Sequence, residues 1–234
     1  MMTGEYESSK ALHNVSPEFY PRPITTGKFN GIPDVYFYIC DFVEMQDKSP
    51  LVDKKLFCEM VAGLHIRGIS TNGKFGFHVT THNGWIPQLN DWEESWMVFF
   101  QKGFTNLLDL LEKNSGPSIR QTQYGDRFWI RVIPNFVENV IPRLLQPLET
   151  GGNSIKPRLI HGDLWYGNIA TKMSNNLPVI FDAAAFYAHH EYELGNWRPK
   201  RNKFPYDYIQ EYLGRFKPSA PQAEFDDRNI LYST

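Results

Sequence analysis

The amino-acid sequence predicts an α+β fold, because helical and strand-like apolar patterns both occur along it. Most of the chain has helical character, and short β-branched and aromatic runs lie near its start and in its last third. At 41% hydrophobic and 15% aromatic residues, the 234-residue chain can bury a substantial core. Its length suits one large domain or two small ones.

The first part of the chain is predicted to hold one helix and one strand. Glu5–Val15 has helical character, with apolar residues on one side, and stops before Pro17. Three prolines mark Ser16–Pro23 as a connector. Val35–Phe42 is short, apolar, β-branched and aromatic, which is typical of a buried strand.

The rest of the chain is predicted to be mainly helical. Four helices are expected, at Val52–Arg67, Trp92–Asn114, Gln123–Glu149 and Tyr206–Phe216. Pro134 and Pro142 should interrupt the third helix, because proline lacks the backbone N–H that an interior helical position needs. Gly68–Gly84 is predicted to be a glycine-rich, aromatic loop.

Two short strands are predicted on either side of a polar loop in the last third of the chain. They are Leu159–Ile160 and Val179–Phe181, and a turn at Ser174–Pro178 precedes the second. Loops held by a rigid scaffold are where catalytic residues concentrate. The functional site is therefore expected here.

The polar loop, His161-Gly-Asp-Leu-Trp-Tyr-Gly-Asn168, has the spacing of a phosphotransfer site. In the protein-kinase catalytic loop, an Asp is followed five positions later by a metal-binding Asn, and a second metal-binding Asp comes further on. Asp163 and Asn168 have this separation, and Asp182 follows an apolar run fourteen residues beyond Asn168. A hairpin would fold Asp182 back beside Asn168. The pattern predicts a protein-kinase-like fold, with Asp163 accepting a proton from the attacking hydroxyl and two Mg²⁺ ligands.

The same residues have a plainer interpretation, as three unrelated polar side chains on the surface. The preceding His-Gly, the apolar flanks and the intervening turn favour the kinase-like interpretation. His161 is expected to brace the loop through hydrogen bonds, with a role as a base as the alternative. Trp165 is either a core residue or part of an acceptor pocket.

Two segments resemble the fructosamine (ketosamine) 3-kinase family. HGDLWYGN followed by VIFDAAAFYAHHEYELG is similar to the family signature, and Phe75–Phe100 resembles its FGF…T…G…PQ-x-N-x-W…W…FF segment. Together they cover the chain from Phe75 to Gly195, with weaker similarity back to Gly4. Aminoglycoside and choline kinases share only the HGD…N…D core. Where relatives often show Pro-Ala-Ser, this chain has Ala183-Ala184-Ala185.

The resemblance implies an activity and a role for each matching residue. Members of the family use ATP to phosphorylate fructosamines or ribulosamines on glycated lysines or proteins, at the sugar 3-hydroxyl. Asp163 corresponds to the catalytic base, and Asn168 and Asp182 correspond to the Mg²⁺ ligands.

The family's FYxHxEYEL run supplies three further candidates, His190, Glu191 and Glu193. Their implied role is to brace and line the site. They are not expected to take part in the chemistry.

The part of the fold that holds the ATP phosphates is expected to be largely missing. Kinases of this fold place a phosphate-covering loop and a strand lysine before a helix that bears the partner glutamate. Gly4-Glu5 looks like the start of that helix, only three residues precede it, and no G-x-G-x-x-G occurs. Residues 1–45 are therefore interpreted as a remnant of the N-terminal lobe and 46–234 as the catalytic lobe. Weak or absent activity is expected, with Lys10 and Lys28 as solvated charges.

The strand Val35–Phe42 should lead into the hinge between the lobes. The backbone near Phe42–Met45 is the expected adenine contact, with Met45 at its end. The acidic side chains of Asp41 and Glu44 either contact the ribose or lie on a solvated loop face. An uncovered face of this strand would favour association.

Three functions stay open from the sequence: a ketosamine kinase, an inactive kinase-like binding protein, and a kinase of another small hydroxylated acceptor. The net charge of −2 gives no basis for broad binding to nucleic acid or to an anionic membrane. The apolar runs are too short to span a bilayer, and no secretory signal is apparent. Cys40 and Cys58 are interpreted as buried thiols, which fits the cytoplasm. The oligomeric state stays open.

Overall fold

The computed structural model describes residues 2–46, 52–115 and 125–233, with the backbone alone at residues 115 and 126. The α-helices outside the helical stretch over residues 125–148 are α1 (Met2–Val15), α2 (Lys54–Arg67), α3 (Trp96–Ser115), α4 (Glu191–Gly195), α5 (Tyr206–Arg215) and α6 (Phe225–Tyr232). The strands are β1 (Pro23–Lys28), β2 (Tyr36–Cys40), β3 (His82–Asn83), β4 (Ile86–Pro87), β5 (Arg158–Ile160), β6 (Ile169–Thr171), β7 (Pro178–Ile180) and β8 (Phe186–Ala188). Among the described residues, no helix is long and apolar enough to cross a bilayer.

The N-terminal part consists of α1 and the antiparallel β1–β2 hairpin, in which Thr26 lies opposite Tyr38. The prediction of a buried strand at Val35–Phe42 is wrong, because the residues of β2 are exposed or half-buried. Its aromatic and β-branched composition favours extended backbone but does not determine what covers the strand. The expectation of an uncovered face is confirmed by the exposed Tyr36 and Ile39.

The two cysteines differ in burial. Cys58 is completely buried in α2, and burial raises the pKa of its thiol to about 12. Cys40 is only half-buried at the end of β2, so the prediction that it is a buried thiol is wrong. The reason is again the open face of the hairpin.

The body of the protein is helical, as predicted, and its core contains several aromatic clusters. Phe57 on α2 packs against Trp197, Phe204 and Tyr208, which connects α2 to α5. Trp96, at the start of α3, is fully buried. Its backbone N–H donates to a carboxylate oxygen of Glu149 at 2.7 Å, so an acidic side chain satisfies an orphan donor at the helix N-terminus.

The third predicted helix continues through both of its prolines. The helical stretch over residues 125–148 contains π-helical turns at Phe128–Val132 and Phe136–Val140, each followed by a short α-helical segment with proline as its second residue. A proline ring clashes with the carbonyl four residues earlier in a regular helix. The wider π turns contain those carbonyls, so the chain stays helical, contrary to the expected interruption. The predicted start at Gln123 lies outside the described residues.

Two small antiparallel sheets hold the polar loop. β5 pairs with β8, and β6 pairs with β7 as a hairpin in which Ile169 lies opposite Ile180. The two predicted strands correspond to β5 and β7. Their three-residue partners, β8 for β5 and β6 for β7, were not predicted. Because β6 pairs with β7, the end of the polar loop at Asn168 lies beside Phe181, the residue that follows β7. β1, β3, β4, α4 and α6 were not predicted from the sequence either.

Candidate active site

The polar loop leaves β5 through a glycine that no other residue can replace without strain. Gly162 has a φ of +81°, and a Cβ built on it would lie 2.2 Å from the carbonyl oxygen of Ala184. The backbone N–H of Ala184 donates to the carbonyl of His161 at 3.0 Å. The loop and the segment after β7 therefore lie directly against each other.

The buried His161 joins these two segments through its ring. Its Nδ1 accepts from the backbone N–H of Asp163 at 3.2 Å, and its Nε2 donates to the carbonyl of Phe181 at 2.9 Å. Burial lowers the pKa of His161, which favours the neutral ring that these bonds require. Because both nitrogens are engaged, the geometry favours the bracing role over that of a base.

Asn168 brings the two candidate acids to one point. Its Nδ2 amide donates to the Asp163 carbonyl at 2.9 Å, to Asp163 Oδ2 at 3.1 Å and to the Asp182 carbonyl at 3.3 Å. The β6–β7 hairpin closes the fourteen-residue separation between Asn168 and Asp182. The structure therefore places the three polar residues of the sequence pattern side by side.

Asp182 has a left-handed backbone with a φ of +61°, which is uncommon for a residue other than glycine. Hydrogen bonds on both sides hold it there. The N–H of Phe181 donates to the Asn168 carbonyl at 3.1 Å, and the N–H of Ala183 donates to the Tyr20 hydroxyl at 3.4 Å. Such strain persists only where the surroundings determine the backbone, and it leaves the Asp182 side chain exposed in the cleft.

The electrostatics of the cleft fit a divalent cation. Burial, followed by the negative charge of Asp182, raises the pKa of Asp163 to about 6. Burial and then the charge of Asp182 also raise the pKa of Glu5. A hard cation beside Asp182 would relieve this repulsion, and the carboxylate of Asp182 and the amide oxygen of Asn168 are suitable oxygen ligands.

A second acidic and imidazole-rich cluster, His189, His190 and Glu191, lies within 4.8 Å but is a weaker candidate for a metal. Both carboxylate oxygens of Glu191 accept from Arg228, at 2.8 and 3.0 Å. The two nitrogens of His189 hydrogen-bond to the hydroxyls of Tyr232 and Ser219. Most of the donor atoms are thus already used inside the protein.

The candidate acids lie in a cavity of about 660 Å³. Residues from several parts of the chain form its wall, namely Glu5, His82, Asn83, Gly84, Trp85, Asp163, Trp165, Asn168, Asp182, Ala183, Asn196, Arg201 and Asn202. Glu5 reaches the cavity from α1, and its role as the partner glutamate of a lysine stays a prediction. The volume is large enough for a small ligand.

Trp165, left open by the sequence, is half-buried in the wall of this cavity. Its ring lies over Gly167, where an added Cβ would come within 2.1 Å of the indole. Glycine at this position therefore allows the ring to lie flat along the loop. Trp165 belongs to the cleft and is not a core residue.

The hinge candidates do not line the cavity that holds Asp163. Asp41 forms an exposed ion pair with Arg22 at 3.1 Å. The carbonyl of Glu44 accepts from the N–H of Met173 at 2.9 Å, and Met45 forms an antiparallel bridge with Lys172. The segment is therefore fixed against β6, and a nucleotide contact there stays a prediction.

The remaining candidates from the family run lie behind the loop. Glu193 accepts from the N–H groups of His161 at 2.5 Å and Gly162 at 3.2 Å. Glu191 is buried in its ion pair with Arg228, and His190 is buried with its ring 4.0 Å from that of Phe216. Their position is suited to bracing.

Several cleft residues were missed from the sequence. Trp85 lies at the tip of the β3–β4 hairpin and is 86% exposed, while Asn196, Arg201 and Asn202 follow α4. Gly68–Gly84 was predicted to be a loop, and no site role was predicted for the residues after Gly195. Trp85 directly after Gly84 was the one sequence feature that could have indicated an exposed aromatic at a turn, but only the fold brings Trp85 close to Asp163.

The chain has a protein-kinase-like fold, which it shares with two solved structures. The solved structure of a protein from Haemophilus somnus assigned to the fructosamine-3-kinases covers 100% of this chain and 69% of its own length, with a TM-score of 0.70 and 19% identity. An aminoglycoside phosphotransferase shares the fold with a TM-score of 0.50 at 14% identity, over 98% of this chain and 72% of its own.

The sequence comparison is more specific. The family model described as fructosamine kinase matches residues 1–234, and the chain belongs to this family. The ketosamine-3-kinase of Mus musculus is 40% identical over 122 residues, which are 52% of this chain and 34% of the mouse protein. The chloroplastic protein-ribulosamine 3-kinase of Arabidopsis thaliana is 29% identical over 99% of this chain and 64% of its own length. The chain thus spans less than two thirds of these relatives.

Proposed function

We propose that this chain carries the catalytic and metal-binding residues of an ATP- and Mg²⁺-dependent kinase of ketosamines. The observation that carries the proposal is the meeting of Asp163, Asn168 and Asp182 in one cavity, through the three hydrogen bonds of the Asn168 amide. Membership of the fructosamine kinase family supports the acceptor class.

In this proposal Asp163 acts on the acceptor. Its carboxylate accepts the proton of the sugar 3-hydroxyl while that oxygen forms a bond to the γ-phosphorus, and the bond from phosphorus to the leaving ADP oxygen breaks. A pKa of about 6 keeps most of Asp163 ionised at neutral pH and still able to hold a proton briefly. Asn196 and Trp165 line the same cavity and would help to position the acceptor.

The cofactors follow from the donor set and from related proteins. Asp182 and Asn168 would bind Mg²⁺, which supplies charge neutralisation at the phosphates when it is bound. The three hydrogen bonds of Asn168 engage its Nδ2 atom, so Oδ1 is the ligand atom available to a cation. An aminoglycoside phosphotransferase of the same fold was solved with AMP-PNP and hygromycin B, which supports ATP as the donor.

The acceptors are proposed to be ketosamines on glycated amines or proteins. Relatives carry the names ketosamine-3-kinase and protein-ribulosamine 3-kinase. Which sugar is preferred stays open. The division at residue 45 and the cytoplasm as compartment stay predictions, the latter supported by the two unpaired thiols.

A kinase-like binding protein is the second candidate. Among the described residues that line the cavity there is no lysine, and the two lysines considered from sequence have other partners. Lys10 pairs with Glu7 at 3.0 Å, and Lys28 pairs with Asp34 at 3.4 Å. A cavity without a lysine clamp on the nucleotide phosphates would favour binding over transfer.

Phosphate transfer from ATP to fructosyl-lysine and to ribulosyl-lysine tests the proposal. The chain would be assayed alone and with the N-terminal lobe of a complete relative grafted before it. Asp163→Asn should lower transfer by roughly 10²–10⁴-fold, because a positioned base is lost. Asp207→Asn, an exposed acid on α5, is the matched control and should leave transfer unchanged.

The outcomes separate the two candidates. Transfer that depends on Asp163 in either protein supports the kinase. Near-normal transfer in Asp163→Asn removes this residue from the role of base. No transfer in either protein, with acceptor binding retained, favours the binding protein.

A further inference from the structure

One basic side chain stands out among the acids of the cleft. Arg201 lies on the turn Lys200–Asn202 between α4 and α5 and lines the same cavity as Asp163 and Asp182. Of the described residues in the cavity wall, it is the one arginine, and no lysine accompanies it. Three carboxylates share that wall, including Glu5 from α1.

Within the part of the chain that the structure describes, no residue pairs with the guanidinium of Arg201. Neighbouring cations are engaged, since Arg198 donates to Asp226 at 2.7 Å and the ammonium of Lys203 lies 5.0 Å from the ring centre of Tyr166. Arg201 is exposed and makes no hydrogen bond or ion pair with any part of the chain that the structure describes. Its five donors are therefore available to a ligand.

The turn that carries Arg201 is tied to the catalytic loop. Asn202 donates through Nδ2 to both the carbonyl and the Oδ1 of Asn196, each at 2.7 Å. Asn196 directly follows α4, whose Glu193 accepts from the N–H groups of His161 and Gly162. The position of the Arg201 backbone relative to Asp163 is thus set by a continuous series of hydrogen bonds.

We propose that Arg201 binds an oxyanion of the ligand in the cleft, an inference that rests on the proposed function. A guanidinium presents paired donors that match a carboxylate or a phosphoryl group. A glycated amino acid offers the first of these as its free α-carboxylate, and the phosphorylated sugar offers the second. If the carboxylate is the ligand group, Arg201 selects free glycated amino acids over glycated lysines within a protein, whose carboxyl group is an amide.

Binding measured by calorimetry without nucleotide tests this assignment independently of phosphate transfer. The probes are fructosyl-lysine, its carboxamide, and inorganic phosphate. Arg201→Gln should weaken the binding of at least one anionic probe by about tenfold, the scale of a charge-assisted hydrogen bond. Arg201→Lys should restore part of it, because charge is kept and the bidentate geometry is lost.

The neighbouring Lys200 supplies a matched control. It is exposed on the same turn and lies outside the residues that line the cavity, so Lys200→Gln removes the same charge from almost the same place. This variant should bind all three probes as the parent chain does. Thermal unfolding should be the same for all variants, since the exposed Arg201 makes no hydrogen bond or ion pair with the described residues.

The three probes distinguish the sources of the oxyanion. A carboxylate subsite is supported if the parent chain binds fructosyl-lysine about tenfold more tightly than the carboxamide and Arg201→Gln abolishes the difference. A phosphoryl subsite is supported if acid and carboxamide bind equally but phosphate binding is lost in Arg201→Gln. Equal affinities of the parent and Arg201→Gln for every probe, or no measurable binding, would overturn the proposal.

The proposed kinase function can fail separately. A chain that binds fructosyl-lysine through Arg201 but transfers no phosphate, alone or with the grafted lobe, contradicts the kinase and leaves the subsite standing. If transfer is the same with arginine or glutamine at position 201 and the probes bind equally to both, the kinase function is supported and the Arg201 subsite is contradicted.

Discussion

The segment behind the polar loop and the β1–β2 hairpin use their side chains in opposite ways. Behind the loop, the charged residues Glu191 and Arg228 are completely buried as a pair. In and after the hairpin, apolar residues face outward, with Tyr36 53% and Phe42 93% exposed. The usual distribution of polar and apolar side chains is inverted in both places.

The difference shows which part of the molecule determines the geometry of the site. A buried charge is costly unless it is paired, so each partner behind the loop constrains the other. Glu193 extends this constraint to the backbone of His161 and Gly162. The strands of the hairpin contain no buried charge pair, and none of their residues lines the cavity. The arrangement of Asp163 and its neighbours therefore depends on the body of the protein.

The largest effect is expected from breaking the buried pair. Glu191→Ala should lower the free energy of unfolding by about 3–5 kcal/mol, because the buried Arg228 loses its counter-charge and keeps only the backbone carbonyls of Pro221 and Ser219 as acceptors. Urea denaturation followed by circular dichroism measures this. Glu59→Ala removes an acid from the exposed pair with Arg215 and should have little effect. A similar loss in both variants would mean that burial does not distinguish the two pairs.

A smaller effect is expected from adding one methyl group at a glycine. Gly162→Ala places a side chain on a left-handed residue and 2.2 Å from the carbonyl of Ala184, so the free energy of unfolding should fall by about 2–3 kcal/mol. Transfer or acceptor binding should fall too, since Asp163 is the next residue.

The hairpin offers the matched glycine. Gly31 lies between β1 and β2, and a Cβ on it would meet nothing within 4 Å. Gly31→Ala should therefore change the free energy of unfolding by less than about 0.5 kcal/mol in the same denaturation experiment. A larger loss at Gly31 than at Gly162 would contradict the view that the body is the constrained region.

The meeting of Asp163, Asn168 and Asp182 could be predicted from the sequence, because a phosphotransfer site needs a particular spacing, while their roles stay predictions. Asp163, Asn168 and Asp182 must meet at one point, and a five-residue loop followed by a hairpin is a local arrangement that sequence can reveal. The bracing position of His161 follows from the same locality. Its two partners, Asp163 and Phe181, lie within twenty residues of it.

What the sequence could not reveal depends on distant parts of the chain. Arg201 reaches the cavity from a segment that carries no motif. Trp85 lies within the family-like segment Phe75–Phe100, but nothing in that pattern gives it a place in the cavity, and only the fold places both residues near Asp163. The exposure of β2 depends on what packs against it, which its composition does not specify. Proline does clash with the carbonyl four residues earlier, as the sequence rule states. The π-helical turns before Pro134 and Pro142 accommodate that clash, so the chain stays helical where an interruption was predicted.

The smallest effect, and the one that links stability to the site, concerns the pH dependence of Asp163. Its pKa in the folded chain is raised to about 6, so the folded state holds this proton more tightly than the unfolded state. Ionisation of Asp163 therefore lowers the free energy of unfolding, and this loss is absent below pH 4 and grows until about pH 6. Asp163→Asn removes this loss, and the variant should gain about 1 kcal/mol of stability relative to the parent between pH 4 and pH 7, after allowance for partial exposure.

The charge of Asp182, the second cause of the raised pKa of Asp163, provides the control. Because Asp182 raises the pKa of Asp163 through its charge, the gain from Asp163→Asn should shrink when it is made in an Asp182→Asn background. Millimolar Mg²⁺ should shrink it as well if the cation binds beside these acids. Denaturation curves at pH 4, 5, 6 and 7 for the parent, both single variants and the double variant complete this cycle. A gain that is independent of pH would contradict the raised pKa of Asp163. A gain that is unchanged without Asp182 would show that the two carboxylates do not interact, and the electrostatic case for a cation in the cleft would fall with it.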